Sequence, residues 1–123
     1  MKAVEALSGL MTAIDERRWA DMAAYLHPEF RCRYSHTGEV FTAEEWIRLN
    51  AEYPGFDHLT VRQLVGDDTA AACRAHVTGE GETGLSHFEC ATFITMADGL
   101  IREMTEVWAD VAQQAPPGTR PAS

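Results

Sequence analysis

Apolar residues in the first segment recur at helical spacing. Val4, Leu7, Met11 and Ile14 lie three or four residues apart and Leu10 widens the stripe, while Lys2, Glu5, Asp15, Glu16 and Arg17 take the other sides. The pattern predicts an amphipathic helix. A second, shorter helix is predicted over Trp19, Met22, Ala23, Tyr25 and Leu26, ended by Pro28. The period then falls to two. Phe30, Cys32 and Tyr34 alternate with Arg31, Arg33 and Ser35, which predicts a strand with one apolar face. Thr37-Gly38 turns the chain back.

Thr42-Ala43-Glu44-Glu45 has the form of a capping box, in which the Thr42 hydroxyl accepts from the Glu45 amide and the Glu45 carboxylate accepts from the Thr42 amide. Phe41 before the cap and Trp46 beyond it have the spacing of a hydrophobic staple. A helix is expected from Ala43 to Glu52, stopped by Pro54-Gly55. Strands are then expected over His58–Val65, Thr69–Thr78, Leu85–Met96 and Leu100–Trp108. Residues 79–84 form a loop in this reading, and Asp98-Gly99 carries a type I′ hairpin signal. Helices early and strands late predict an α+β fold, with helices covering one face of a mostly antiparallel sheet. The expected division is one domain over residues 1–112 and a Pro-rich tail over residues 113–123.

Hairpin geometry turns this order into pairings. With Asp98-Gly99 as the turn, Phe93 faces Met104, Ala91 faces Glu106 and Glu89 faces Trp108. Pairing Gly79 with Gly84 sets His76 opposite His87 and Arg74 opposite Glu89. One sheet face then gathers Arg74, His76, His87, Glu89 and Glu106 beside Met104 and Trp108. A bulge in either hairpin dissolves that set, because a one-residue slip moves every side chain to the other face. On periodicity alone, the same residues also fit a solvated face or an interface.

Composition narrows the function classes. With 123 residues there is space for one domain. Ten Lys and Arg against nineteen Asp and Glu give a net charge of −9, which argues against nucleic acid or an anionic membrane surface as partner. Three cysteines, Cys32, Cys73 and Cys90, form no CxxC pair, so a disulfide framework or zinc ribbon is not expected. The acids inside the first apolar run make a poor signal peptide, and no apolar run is long enough to span a bilayer, so a cytoplasmic location is expected. No helical HxxxH spacing offers a metal site, and neither metal nor cofactor is expected.

The order of elements resembles the nuclear transport factor 2-like superfamily, close to its SnoaL-like (polyketide cyclase-like) and ketosteroid isomerase-like branches. His87 to Val111, HFECATFITMADGLIREMTEVWADV, carries the likeness best: Gly99, Ile101, Met104 and Trp108 fit the family's last hairpin. The segment ERRWADMAAYLHPEF resembles its short second helix leading into the first strand. The resemblance implies a curved sheet wrapped around N-terminal helices, a cone with one pocket. It implies a homodimer paired through the open sheet face. It puts Trp108 in the pocket, and with it Met104, Glu106, Glu89 and Ala91, followed by Arg74, His76 and His87. Tyr34, Phe93, Ala91, Met104 and Trp108 become candidate substrate-binding residues, and Glu106, His87, His76, Arg74 and Glu89 candidate catalytic ones.

The implied activity is cofactor-free acid–base chemistry on a small, largely apolar molecule, as a cyclase, isomerase, dehydratase or hydrolase. A non-catalytic ligand-binding or dimerisation module of the same fold is the alternative. The isomerase pattern itself is not met, since Tyr34, Leu10 and Ala91 stand where its base and two oxyanion donors belong. The pattern of limonene-type epoxide hydrolases, two acids bridged by an Arg, is met in part: Glu106 fits one acid and Arg74 the bridge, but His76 stands at the second acid.

Overall fold

The computed structural model describes residues 1–121. The first apolar stripe forms helix α1, Ala3–Asp15. No side chain caps its start. Instead the Ala3 and Val4 amides donate to the Asp68 and Asp67 carbonyls at 3.0 and 3.3 Å, so a distant hairpin turn satisfies the open helix end. Its far end is tied to the sheet, where the Asp15 carboxylate accepts from the Leu59 amide at 2.9 Å. Arg17, held at a φ of 57°, donates to the Phe56 and Asp57 carbonyls.

A 3₁₀ helix follows over Trp19–Tyr25, shorter than the sequence pattern suggests. It lies so close to α1 that a Cβ on Gly9 would meet the Tyr25 hydroxyl at 2.6 Å. Strand β1 begins at once and runs Leu26–Tyr34. Pro28 therefore sits inside the strand and does not follow a helix. The pairing is irregular between Leu26 and Arg31, which accommodates its missing amide. The short β2, Val40–Thr42, leads into α2, Ala43–Glu52, through the expected capping box: Glu45 N donates to Thr42 Oγ1 at 3.3 Å and Thr42 N to Glu45 Oε1 at 2.9 Å.

The long strands are β3 Phe56–Gly66, β4 Ala70–Gly81, β5 Gly84–Ala97 and β6 Leu100–Asp110. All six strands form one sheet in the order β2-β1-β6-β5-β4-β3, antiparallel except where β1 runs parallel to β6. Bulges in β3 and β6 bend the sheet. Helix α1 lies chiefly across β3 and β4, and α2 against β1. Between helices and sheet sits the core, built on Leu7, Leu10, Met22, Phe30, Trp46 and Ile101.

Both hairpin registers differ from the sequence expectation. The Asp98-Gly99 turn forms with φ of 53° and 75°, and Ala97 pairs with Leu100. Beyond Met96↔Ile101, however, Arg102 is an extra residue. Phe93 then pairs with Thr105 rather than Met104, Ala91 with Val107 rather than Glu106, and Glu89 with Ala109 rather than Trp108. The physical cause is the core. Ile101 and Met104 are both buried, and two residues at an odd separation share a face only across a bulge. In the β4–β5 hairpin the loop shrinks to Glu82 and Thr83, because Gly81 pairs with Gly84. His76 is thus opposite Glu89 and Thr78 opposite His87. That displacement is two residues, so no side chain of this hairpin changes face.

Candidate active site

A cavity of about 470 Å³ lies between the concave sheet face and the helices. Met11 and Ile14 of α1 and Ala75 and Val77 of β4 make much of its apolar wall. Phe88 and Trp108, edge to face at 6.4 Å, continue the wall on β5 and β6. Exposed polar residues, His36, Glu39, Asp110 and Gln113, mark the mouth. His36, which the sequence places at a surface turn, stacks on the Tyr34 ring at 5.3 Å and so joins the lining.

Glu106 stands in this wall, 4% exposed. Thr92 of β5 lies directly across the ladder, and its hydroxyl donates to Glu106 Oε2 at 2.9 Å. The Cys90 thiol donates to the same oxygen at 3.5 Å. Burial raises the Glu106 pKa above the ordinary glutamate value, because the charged form loses its water. The Thr92 hydroxyl, the Cys90 thiol and the nearby indoles of Trp108 and Trp46 oppose that rise. Neither indole N–H meets an acceptor at hydrogen-bonding geometry, and both are sealed from solvent. Tyr34, also in the lining, has its phenol held neutral chiefly by burial. The three cysteines are buried and free. Burial pushes the Cys73 thiol up to about 11, and raises Cys32 and Cys90 further.

Of the residues singled out from sequence, Glu106, Trp108 and Tyr34 line the cavity. Met104 is buried in the core and does not reach the lining. Arg74, His76, His87 and Glu89 do come together, but on the outer face of the sheet. Arg74 Nη1 meets Glu89 Oε1 at 2.5 Å, Glu89 Oε2 lies 3.3 Å from His76 Nδ1, and His76 Nε2 lies 2.9 Å from His87 Nδ1. Gln63 closes the chain by accepting from Arg74 Nε at 2.9 Å. Ala91 and Phe93 share that outer face, Phe93 52% exposed. The single face expected from the sequence is therefore two, separated by the Arg102 bulge. The residues that sequence reasoning left out are Thr92, Cys90 and Trp46. The odd separation of Ile101 and Met104 was the available signal, since it implies the bulge that brings Thr92 and Cys90 beside Glu106. Among the described residues, no three His, Cys, Asp or Glu side chains are grouped to hold a metal ion, and no helix is long and apolar enough to cross a membrane.

A bent sheet closed by N-terminal helices around a cavity defines a nuclear transport factor 2-like protein. Within that superfamily the chain belongs to the SnoaL-like domain family, whose model matches residues 7–104. Its structure is similar to that of a candidate ketosteroid isomerase from Kribbella flavida, with a TM-score of 0.81 at 29% identity over 93% of this chain and 82% of that one. It is also similar to a candidate SnoaL-like polyketide cyclase from Jannaschia, with a TM-score of 0.73 at 21% identity, covering 85% and 83% of the two chains. An LEH-like epoxide hydrolase of M. tuberculosis has the same fold, with a TM-score of 0.72 at 12% identity over 86% and 81%. No curated protein matches the sequence.

Proposed function

We propose that this SnoaL-like protein is an acid–base enzyme acting on a small, largely apolar organic molecule, with Glu106 as its proton-transfer residue and no cofactor in the step. The observation that carries the reading is the state of Glu106. It is a buried acid in an apolar cavity, with Oε2 taken by Thr92 and Cys90 and, among the described residues, no hydrogen bond to Oε1. A carboxyl of raised pKa is matched to both giving and taking a proton near neutral pH. Oε1 gives its proton to a ligand oxygen, and the carboxylate then recovers one from the ligand or from water. Tyr34 is a second donor for the ligand in this reading, and Trp108 and Phe88 are apolar contacts.

Cyclase, isomerase or dehydratase chemistry fits better than hydrolysis by two acids bridged by an arginine. Arg74 points away from the cavity, and the other acids in the lining, Glu39 and Asp110, stand at the mouth. The test is turnover of neutral ketones, epoxides and polyketide-like aromatics, followed by mass spectrometry. Glu106→Gln should bind a converted compound and turn it over at least ~100-fold more slowly. A variant that binds and converts at the wild-type rate contradicts the proposal.

We further propose that two copies pair through the outer sheet face. Phe93 and Val107 are exposed at its centre, 52% and 41%, beside the Arg74–Glu89–His76–His87 chain, where an isolated molecule would leave them in water.

A further inference from the structure

We propose that the cavity also takes a small apolar amine, bound as its ammonium ion against the Glu106 carboxylate. This binding goes beyond the proposed turnover and needs only the buried carboxyl, whatever reaction the site performs.

A buried acid ordinarily has a cation beside it. Glu106 is 4% exposed, yet it enters no ion pair among the described residues. Its Oε2 accepts from Thr92 and Cys90, and among the described residues no hydrogen bond reaches Oε1. The surroundings supply no cation either. The chain has ten lysines and arginines, and none lines the cavity. The ladder sets Tyr34 of β1 and Thr92 of β5 beside Glu106 on either side, and Cys73 of β4 beyond Thr92. The Tyr34 phenol and the Cys32, Cys73 and Cys90 thiols are kept uncharged by burial. Helix α1 contributes Met11 and Ile14 to the lining, and α2 contributes Leu49 and Asn50. At the mouth stand His36, Glu39 and Asp110. The two acids there have no ion-pair partner among the described residues, and His36 is stacked on Tyr34. The cavity thus holds three carboxyls and no lysine or arginine, and the buried carboxyl is the one without a counter-ion.

An amine supplies that counter-ion from outside. Arriving as the free base, it takes the carboxyl proton: the O–H bond breaks, an N–H bond forms, and the electron pair stays on the carboxylate. Arriving as ammonium, it displaces the same proton to water. Both routes end in one ammonium–carboxylate pair. Tyr34, Phe88 and Trp108 line the cavity with Glu106, and aromatic ring faces attract an ammonium ion most strongly where water is excluded. Glu39 and Asp110 at the entrance favour a cation and repel an anion on the way in. The ligand class is an amine on an apolar body that fits a cavity of about 470 Å³.

The test is titration calorimetry of the full chain with naphthylmethylamine and naphthylmethanol, which have the same shape and differ in the polar group. The amine should bind at least ~10-fold more tightly than the alcohol, and Glu106→Gln should remove that preference. Repeated in buffers of different ionisation enthalpy, amine binding to the wild type should release about one proton per ligand at acid pH, falling towards none as Glu106 ionises by itself. The alcohol should release none. Equal affinity for the two compounds, no binding of either, or a preference that survives in the folded Gln variant overturns the proposal. Should the Gln variant not fold, the wild type still decides, since amine binding that releases no proton at any pH overturns it too. Failure here leaves proton transfer to neutral compounds to be judged by turnover of the Gln variant.

Discussion

Replacing Thr92 by Val removes one hydroxyl and keeps the shape. Thr92 is 1% exposed, and its Oγ1 donates to Glu106 Oε2 at 2.9 Å. In its place a methyl group faces the carboxyl. While Glu106 is neutral, the lost bond is an ordinary one, worth about 0.5–1.5 kcal/mol. Once Glu106 is charged, the lost bond is to an anion, worth about 1.5–3 kcal/mol. The destabilisation should therefore grow by roughly 1 kcal/mol with rising pH. The step should fall above the ordinary glutamate pKa of about 4.3, because burial raises the Glu106 value in the folded protein. Urea denaturation of both proteins at a series of pH values measures it. An equal loss at acid and alkaline pH, or no loss at all, refutes the placement of Thr92 against a titrating Glu106.

Glu106→Gln should flatten the pH dependence of stability. The raised folded pKa means that the stabilising contribution is full below the unfolded value, near ~4.3, and is lost as pH rises through the folded one, by about 1.4 kcal/mol for each unit between them. At alkaline pH the Gln variant should therefore outlast the wild type in urea; a wild type that gains on the variant as pH rises contradicts this sign. Thr42→Ala removes the hydroxyl half of the α2 capping box and should cost about 1 kcal/mol in thermal or urea denaturation, whereas a neutral result removes the cap from the account of that helix. Phe93→Asp places a charge on the proposed pairing face. Sedimentation should give twice the 13.6 kDa chain mass for the wild type and the single mass for the variant, and a monomeric wild type rules the pairing out.

Elements with local signals were legible in the sequence. The α1 stripe, the Thr42–Glu45 box and the Asp98-Gly99 turn each have a cause within a few residues, and each forms where expected. The register beyond that turn was not legible in the same way, because the core sets it. Ile101 and Met104 both go inward, Arg102 bulges, and every later residue of β6 changes partner. The candidate site inherited that uncertainty. Glu106 and Trp108 stay on one face under either register, since they belong to the same strand at an even separation. Glu89, Ala91 and Phe93 belong to the neighbouring strand and face outward instead. Trp46 had a different obscurity: it reads as a staple residue from its spacing, and only the fold packs its ring against Phe30 in the core.

The most direct measurement is the 13C titration of the Glu106 side-chain carboxyl in glutamate-labelled protein, assigned by the signal missing in Glu106→Gln. A buried acid facing an apolar cavity should titrate well above the ordinary glutamate midpoint of about 4.3. A midpoint at or below that value means that Glu106 is a solvated or ion-paired carboxylate, and contradicts its role as the proton donor of this site.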